Sequence, residues 1–189
     1  EQRLPIVEAA DFDAALAVAS ANFFGHPSKQ LRLLGVTGTN GKTTVAHLCS
    51  TVLDELSRCG VLGTLGVGRP GALQSCVHTT PELNITNAVL AQCVRANCEY
   101  AVMEVSSHGI SQRRIEGLVF DTALYTNLSR DHLDYHGDMD TYAGVKARLF
   151  EQPALRLAVV NADDPYAERM VRDTDTEVVR YSLAGSATN

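Results

Sequence analysis

Short apolar runs alternate along this chain with longer segments whose apolar residues have helical spacing. Strands separated by helices form βαβ units, and such units build a mostly parallel sheet flanked by helices. The fold class is therefore predicted to be α/β. The predicted strands are 31–36, 61–65, 100–105, 120–126, 156–160 and 177–181, and the predicted helices are 11–24, 42–59, 81–97, 139–150 and 165–172.

Local signals mark several boundaries between these elements. Asp11 is a predicted N-cap of the first helix, and Thr80 followed by Pro81 predicts the start of the third. A loop or hairpin is predicted between the second strand and the third helix by Gly66, Gly68, Pro70 and Gly71. We expect residues 1–30 to be a linking segment and residues 31–189 to form one domain.

Composition limits the classes of binding partner that the chain can have and indicates its cellular compartment. The formal net charge of -6 gives no general attraction to nucleic acid or to an anionic membrane. No apolar run approaches the ~18–20 residues that span a bilayer. The five cysteines form no CxxC pair, which favours reduced thiols and a cytoplasmic location.

The segment Gly35 to Thr44 joins the first predicted strand to the next helix. Glycines let backbone amides face an anion, Lys42 adds a full positive charge, and the Thr43 hydroxyl can hold Mg²⁺. Val36 stands where the usual GxxxxGK[ST] motif has its first glycine, so this is a variant loop. A glycine turn before an ordinary helix is the alternative. We predict a P-loop-type mononucleotide-binding fold whose nucleotide contacts are Gly38, Thr39, Asn40, Gly41, Lys42, Thr43 and Thr44.

Polar groups also follow two other predicted strands. Glu104 ends a strand at the edge where such sheets bind ligands, so its carboxylate suits a second Mg²⁺ contact, although a capping or solvated glutamate is equally consistent. The segment 127–137 holds two aspartates and two histidines within a short run. That density suits a metal or polar-substrate site, and it equally suits a polar loop with helix caps.

Three weaker signals have ordinary structural interpretations. Lys146 lies in a predicted helix, where a lysine usually belongs to a solvated face. The run 78–81 is consistent with a loop, and 112–114 with a helix end. Arg114 suits a carboxylate or phosphate contact, because a guanidinium binds such groups in a bidentate manner.

Taken together and in this order, these segments resemble the Mur ligases. The loop 37–44 is similar to the ATP-binding motif of that family, and 104–109 to its next block. The run 126–137 is most similar to the E-type branch, the UDP-N-acetylmuramoyl-tripeptide synthetases, and the resemblance continues through 142–150 and 160–164. It covers nearly the whole chain.

This resemblance implies an ATP-dependent amide ligase of peptidoglycan precursor synthesis. Such an enzyme phosphorylates the D-glutamate carboxylate of UDP-MurNAc-L-Ala-D-Glu, and the amine of meso-diaminopimelate or lysine then attacks the acyl phosphate. The implied cofactors are ATP and Mg²⁺. We expect no nucleic-acid partner, no membrane insertion and a monomeric chain.

The resemblance also implies roles for individual residues. Lys42 is expected to contact the outer phosphates, and Thr43, Glu104 and His132 to hold Mg²⁺. Lys146 matches the carbamylated lysine of the family, whose carboxylate-like oxygens would suit the same metal. The catalytic residues are thus expected to be Lys42, Glu104, His132 and Lys146. The UDP-MurNAc-dipeptide is expected to contact Thr79, Thr80, Ser106, Gln112 and Arg114.

The chain also departs from the family pattern. Family members carry a UDP-binding domain before this core and an amino-acid-binding domain after it. Residues 1–30 therefore resemble a link from a missing domain, and 31–189 a central ATP-binding domain truncated near its C-terminal end, so we expect little activity from the isolated chain. Residues 161–164 are interpreted as structural. The rival functions are a folylpolyglutamate or cyanophycin synthetase and a non-catalytic P-loop nucleotide-binding module.

Overall fold

The computed structural model describes residues 8–185, so residues 1–7 of the predicted linking segment lie outside the described residues. The strands are β1 (Arg32–Thr37), β2 (Cys59–Gly63), β3 (Gly66–Arg69), β4 (Ala72–Gln74), β5 (Tyr100–Glu104), β6 (Thr122–Tyr125), β7 (Leu157–Asn161) and β8 (Glu177–Tyr181). They form one eight-stranded sheet in the order β4-β3-β2-β5-β1-β6-β7-β8.

Most of this sheet is parallel, as the alternating sequence predicts. Strands β2, β5, β1, β6, β7 and β8 run parallel, and β3 and β4 add the antiparallel hairpin that Pro70 and Gly71 turn. The prediction of an α/β fold is confirmed. The helices are α1 (Phe12–Phe23), α2 (Lys42–Leu56), α3 (Leu83–Arg95), α4 (Ser107–Ser111), α5 (Leu133–His136), α6 (Met139–Ala147) and α7 (Ala167–Val171).

The central strands are apolar on both sides because helices cover both faces of the sheet. Along β1, Leu33 packs into the larger core with α3 and α6, while Val36 packs on the opposite face with Ala46 of α2. The two faces alternate with the strand period, so neighbouring side chains enter different clusters. This two-sided burial fixes the register of β1 and therefore the place where its exit loop emerges.

Helix α2 packs through a different stripe from the one its largest apolar residues suggest. Leu48, Val52 and Leu56 are exposed, although their helical spacing predicted an apolar face. Ala46 and Ser50 are fully buried, and the partly buried Val45, Cys49 and Leu53 pack against the same cluster as Ala46. The stripe of α2 that meets the sheet therefore mixes small and apolar side chains, and Leu48, Val52 and Leu56 lie outside it.

The structure confirms one predicted helix cap and corrects another. Asp11 does cap α1, since its side chain accepts the Ala14 amide at 3.0 Å. Helix α3, however, begins at Leu83 with Glu82 as its N-cap residue, so the prediction that Thr80 caps this helix is wrong. The Thr80 hydroxyl is used elsewhere, because it donates to the Glu104 carbonyl at 3.0 Å. Helices α4 and α5 are too short to have a recognisable apolar period.

The strand order places three exit loops side by side. Because β5, β1 and β6 are neighbours and run parallel, the loops after all three meet at one edge of the sheet. The chain also changes direction across the sheet here, and such switch points form ligand crevices. Within residues 8–185, no helix has both the length and the apolar character needed to cross a bilayer.

Candidate active site

The loop between β1 and α2 has the backbone of an anion cradle. Gly38 and Gly41 have φ angles of 147° and 84°, values that favour glycine. A Cβ on Gly38 would also collide with the Thr126 hydroxyl, so only glycine fits there. Gly41 is the N-cap of α2 and has no side chain to occupy the first-turn amides. These amides and the helix dipole therefore favour a bound anion.

The Lys42 side chain folds back over this loop. Its Nζ donates to the carbonyl oxygens of Gly38 at 3.0 Å and Thr39 at 2.8 Å. Burial lowers the pKa of the Lys42 ammonium, while the nearby carboxylates of Glu104 and Asp131 act in the opposite direction. The two hydrogen bonds thus hold the Lys42 ammonium group within the loop, next to the amides that open α2.

Glu104 lies at the centre of the site and is almost completely buried. Its Oε2 accepts the Thr43 hydroxyl at 2.8 Å, and its Oε1 accepts the Thr64 amide at 2.8 Å. A Cβ at Gly63 would collide with this carboxylate. The interpretation of Glu104 as a solvated surface group is therefore wrong. The Thr43 hydroxyl and the Glu104 carboxylate form a pair of oxygens of the kind that Mg²⁺ prefers.

Lys146 is also buried, with 1% of its surface exposed, so the expectation of a solvated helix face is wrong. Its Nζ donates to the Gly38 carbonyl at 2.9 Å and lies 4.6 Å from the centre of the Tyr142 ring. Burial, and then repulsion from Lys42, lowers the pKa of Lys146 to about 7. In a substantial fraction of the molecules, the Lys146 side chain is therefore a neutral amine near neutral pH.

A second group of predicted residues lies beside the loop 38–44, the predicted phosphate loop. Thr80 and Ser106 share a hydroxyl contact of 3.0 Å, and the Arg114 guanidinium donates to the Thr80 carbonyl at 2.9 Å and pairs with Glu82 at 3.1 Å. Thr80, Ser106, Arg114 and the exposed Gln112 line a pocket of about 400 Å³. The remaining residues that line this pocket are Lys42, His78, Thr79, His108 and His132.

This pocket, the Arg114 pocket, adjoins a pocket of about 340 Å³ lined by the phosphate loop, Thr64 and Glu104. Lys42 and Thr79 line both pockets. A larger groove of about 920 Å³ lies at the opposite edge of the sheet, near Arg32 and Asp121 at the beginnings of β1 and β6. It contains none of the predicted site residues. We therefore place the site where the two smaller pockets meet.

His132 is predicted to bind Mg²⁺, but its surroundings are not those of a metal ligand. It is the N-cap residue of α5 with a φ of 51°, its ring lies 4.8 Å from that of His108, and its Nε2 is 3.5 Å from Asp131. Across residues 8–185, no group of three or more histidine, cysteine, aspartate or glutamate side chains could hold a metal ion. The oxygens of Thr43 and Glu104 are therefore the donors that fit Mg²⁺ best here, and His132 stays a predicted ligand.

Sequence reasoning missed the residues that shape the phosphate loop from outside. The Asn127 side chain accepts the Asn40 amide at 3.0 Å and donates to the Asn40 carbonyl at 3.1 Å. Tyr142 contacts the Thr39 hydroxyl at 3.2 Å, and Thr64 holds Glu104. Asn127 directly follows the Thr126 that leaves β6, so its position after a central strand was the available signal.

The fold and this site together define a class. A parallel sheet carries a glycine-rich loop between β1 and α2, a lysine and a threonine open the helix, and a carboxylate ends the neighbouring strand. This is a P-loop-type mononucleotide-binding domain. The family model described as the Mur ligase middle domain matches residues 36–189. The chain therefore belongs to the Mur ligase family.

Similar proteins agree with this assignment. A UDP-N-acetylmuramoyl-L-alanyl-D-glutamate--2,6-diaminopimelate ligase of Pseudomonas aeruginosa is 48% identical over 185 residues, which cover 97% of this chain and 38% of that protein. A ligase of the same name from Synechococcus elongatus is 48% identical over 174 residues, covering 90% of this chain and 35% of that protein. This chain thus spans little more than a third of the length of these relatives.

Solved structures show the same fold. One 2,6-diaminopimelate ligase of this type matches with a TM-score of 0.81 and 34% identity, over 92% of this chain and 38% of that chain. A folylpolyglutamate synthase of Mycobacterium tuberculosis, solved with ADP and AMPPCP, matches with a TM-score of 0.66 and 21% identity, over 88% of this chain and 46% of that chain. At that identity the second likeness is evidence for the fold alone.

Proposed function

We propose that this chain forms the ATP-binding core of a cytoplasmic, monomeric ligase that joins 2,6-diaminopimelate to UDP-MurNAc-L-Ala-D-Glu. In this proposal residues 31–189 belong to the central ATP-binding domain and residues 1–30 link it to a UDP-binding domain. The observation that carries the proposal is that Lys42 and Thr79 line both the phosphate-loop pocket and the Arg114 pocket. A phosphate held in one pocket is thereby adjacent to a carboxylate held in the other.

The residues would divide the work between binding and charge neutralisation. ATP phosphates would accept the amides that open α2, and Lys42 would exchange its two carbonyl acceptors for phosphate oxygens. Thr43 and Glu104 would hold Mg²⁺, with His132 as a further predicted ligand, and the ion would offset the charge on the transferring phosphoryl group. Catalysis then consists mainly of positioning and electrostatic stabilisation.

The dipeptide substrate would occupy the second pocket. Arg114 offers a guanidinium beside Thr80 and Ser106, and Thr79 and Gln112 complete the polar lining. The D-glutamate carboxylate would take the phosphoryl group, and the incoming amine would then displace phosphate from the acyl phosphate. The identity of the amine follows from the names of the relatives, and transfer of lysine by the intact enzyme would contradict that part of the proposal.

We further propose that Lys146 carries a carbamate in the active enzyme. The lowered pKa supplies the neutral amine that CO₂ requires. The amine nitrogen would bond to the carbon of CO₂ and release one proton to solvent, and the carbamate nitrogen would keep one N–H for the Gly38 carbonyl. The product is an anion, so repulsion from Lys42 becomes attraction. Carbon-13 NMR in labelled bicarbonate should show one carbamate signal that Lys146→Met removes. A signal that survives in this variant would refute the assignment.

Calorimetry tests the nucleotide site directly. We would titrate the chain with AMP-PNP and Mg²⁺, using Lys42→Ala as the test variant and Lys29→Ala as the control, since Lys29 is exposed and far from the phosphate loop. AMP-PNP binding should be retained in the control and lost in Lys42→Ala. In a separate titration, the parent chain should bind UDP-MurNAc-dipeptide, and Arg114→Ala should bind it more weakly. Equal nucleotide affinities in all three proteins would overturn the proposal for this loop.

A further inference from the structure

The turn that follows β7 contacts the loop that follows β6, and this second loop contacts the phosphate loop. We propose that Asp164 is a positioning residue for nucleotide binding, acting through residues 126–129 and not by contact with the ligand. The inference rests on the proposed function only in taking Gly38–Thr44 as the phosphate loop. It assigns a specific role to one residue of the segment 161–164.

Asp164 anchors the middle loop with both carboxylate oxygens. Its Oδ2 accepts the Leu128 amide at 2.9 Å, and its Oδ1 accepts the Tyr125 hydroxyl at 2.7 Å and the Tyr166 amide at 2.9 Å. Tyr125 is fully buried at the end of β6, so Asp164 joins a fixed point of the core to the loop beyond it. Asn161 adds a second anchor, donating to the Thr126 carbonyl at 2.9 Å.

The anchored loop in turn fixes the conformation of the phosphate loop. The Thr126 hydroxyl donates to the Asn40 carbonyl at 2.6 Å, and the Asn127 side chain binds both backbone groups of Asn40. The Thr39 amide donates to the Asn127 carbonyl at 2.8 Å. Ser129 binds the Thr39 hydroxyl through its amide at 3.0 Å. The backbone of Thr39 and Asn40 is thus held by residues outside the phosphate loop.

This external support matters most when nucleotide binds. In the structure Lys42 holds the Gly38 and Thr39 carbonyls, but a bound phosphate would draw its ammonium away. The contacts from residues 126–129 use the Thr39 and Asn40 amides and leave the amides that follow Gly41 for the ligand. An ordered cradle then depends on the β6 exit loop, and that loop depends on Asp164.

The neighbouring carboxylate supplies a matched control. Asp163 belongs to the same turn but faces the β8 exit, where it accepts the Ser182 hydroxyl at 2.6 Å and the Leu183 amide at 2.8 Å. Asp163→Asn therefore perturbs the same turn without a direct contact to residues 126–129. Asp164→Ala removes the anchor, and Asp164→Asn keeps one acceptor oxygen.

The test is hydrogen exchange by mass spectrometry on the ligand-free chain, followed by AMP-PNP titration with Mg²⁺. Losing hydrogen bonds to a charged group predicts about tenfold faster exchange in peptides covering Thr39 and Asn40 for Asp164→Ala, with a smaller change for Asp164→Asn. Asp163→Asn should leave these peptides unchanged, and peptides of β1 and β5 should be unchanged in all variants. AMP-PNP affinity should fall in the same order.

Equal exchange at Thr39 and Asn40 in Asp164→Ala, Asp163→Asn and the parent would overturn the positioning role. If Asp164→Ala fails to fold, Asp164→Asn decides by the same comparison. If the parent chain binds no AMP-PNP, the proposed nucleotide site of this chain fails, whereas the exchange data still judge the positioning of the loop. Unchanged affinity despite faster exchange would refute the link between loop order and nucleotide binding.

Discussion

Burial of Lys146 should make the stability of this domain rise steeply with pH above neutrality. Its pKa is about 7 in the folded chain, against an ordinary value of 10.5. Between these values the unfolded chain binds one more proton at this residue than the folded chain, so the free energy of unfolding increases with pH. The gain is complete above about 10.5, shrinks steadily as the pH falls from that value, and is fully lost once the pH has fallen through about 7.

The size of the effect follows from the same two values. Their difference corresponds to about 5 kcal/mol between the fully charged and fully neutral limits, at 1.36 kcal/mol per pH unit. From pH 7 to pH 8.5, where the folded amine is still partly protonated at first, the gain is about 2 kcal/mol. Burial lowers the pKa values of His108 and His136, which moves the titrations of these two histidines away from this window.

Urea unfolding at several pH values provides the measurement, in buffers free of CO₂ so that no carbamate forms. The parent should gain about 2 kcal/mol more than Lys146→Met across the window, because methionine has no proton to lose. Lys29→Met is the control and should follow the parent, since Lys29 is exposed. Parallel profiles for the parent and Lys146→Met would refute the argument that burial depresses this pKa.

Three further changes test other parts of the structure. Gly38→Ala should destabilise the domain by about 1–3 kcal/mol and abolish AMP-PNP binding, because the φ angle and the Thr126 hydroxyl both exclude a Cβ; calorimetry that finds normal affinity would contradict this. Glu104→Gln should remove the Mg²⁺ dependence of nucleotide binding, measured with Mg²⁺ and with EDTA, and an unchanged Mg²⁺ effect would count against Glu104 as a ligand. Leu90→Ala should cost about 2–5 kcal/mol in urea unfolding because Leu90 is fully buried, with little effect expected from the exposed Leu48→Ala.

The sequence was sufficient for the features that depend on local interactions. Alternating apolar runs and helical segments predicted the parallel sheet, since each pattern is set by residues close together in the chain. The glycine-rich loop was predictable for the same reason, because strand, turn and helix start are contiguous. The Asp11 cap was predictable because its acceptor reaches an amide three residues later.

The tertiary structure decided which of the polar residues meet. The usual exposure of lysine predicted a solvated helix face for Lys146, and only the family resemblance placed it in the site. It is buried against the Gly38 carbonyl, a partner 108 residues away. Thr80 likewise caps no helix, because the β5 exit carrying Ser106 offers its hydroxyl better partners. Both outcomes depend on β5, β1 and β6 lying side by side. That order follows from long-range strand pairing, which no local pattern in the chain encodes.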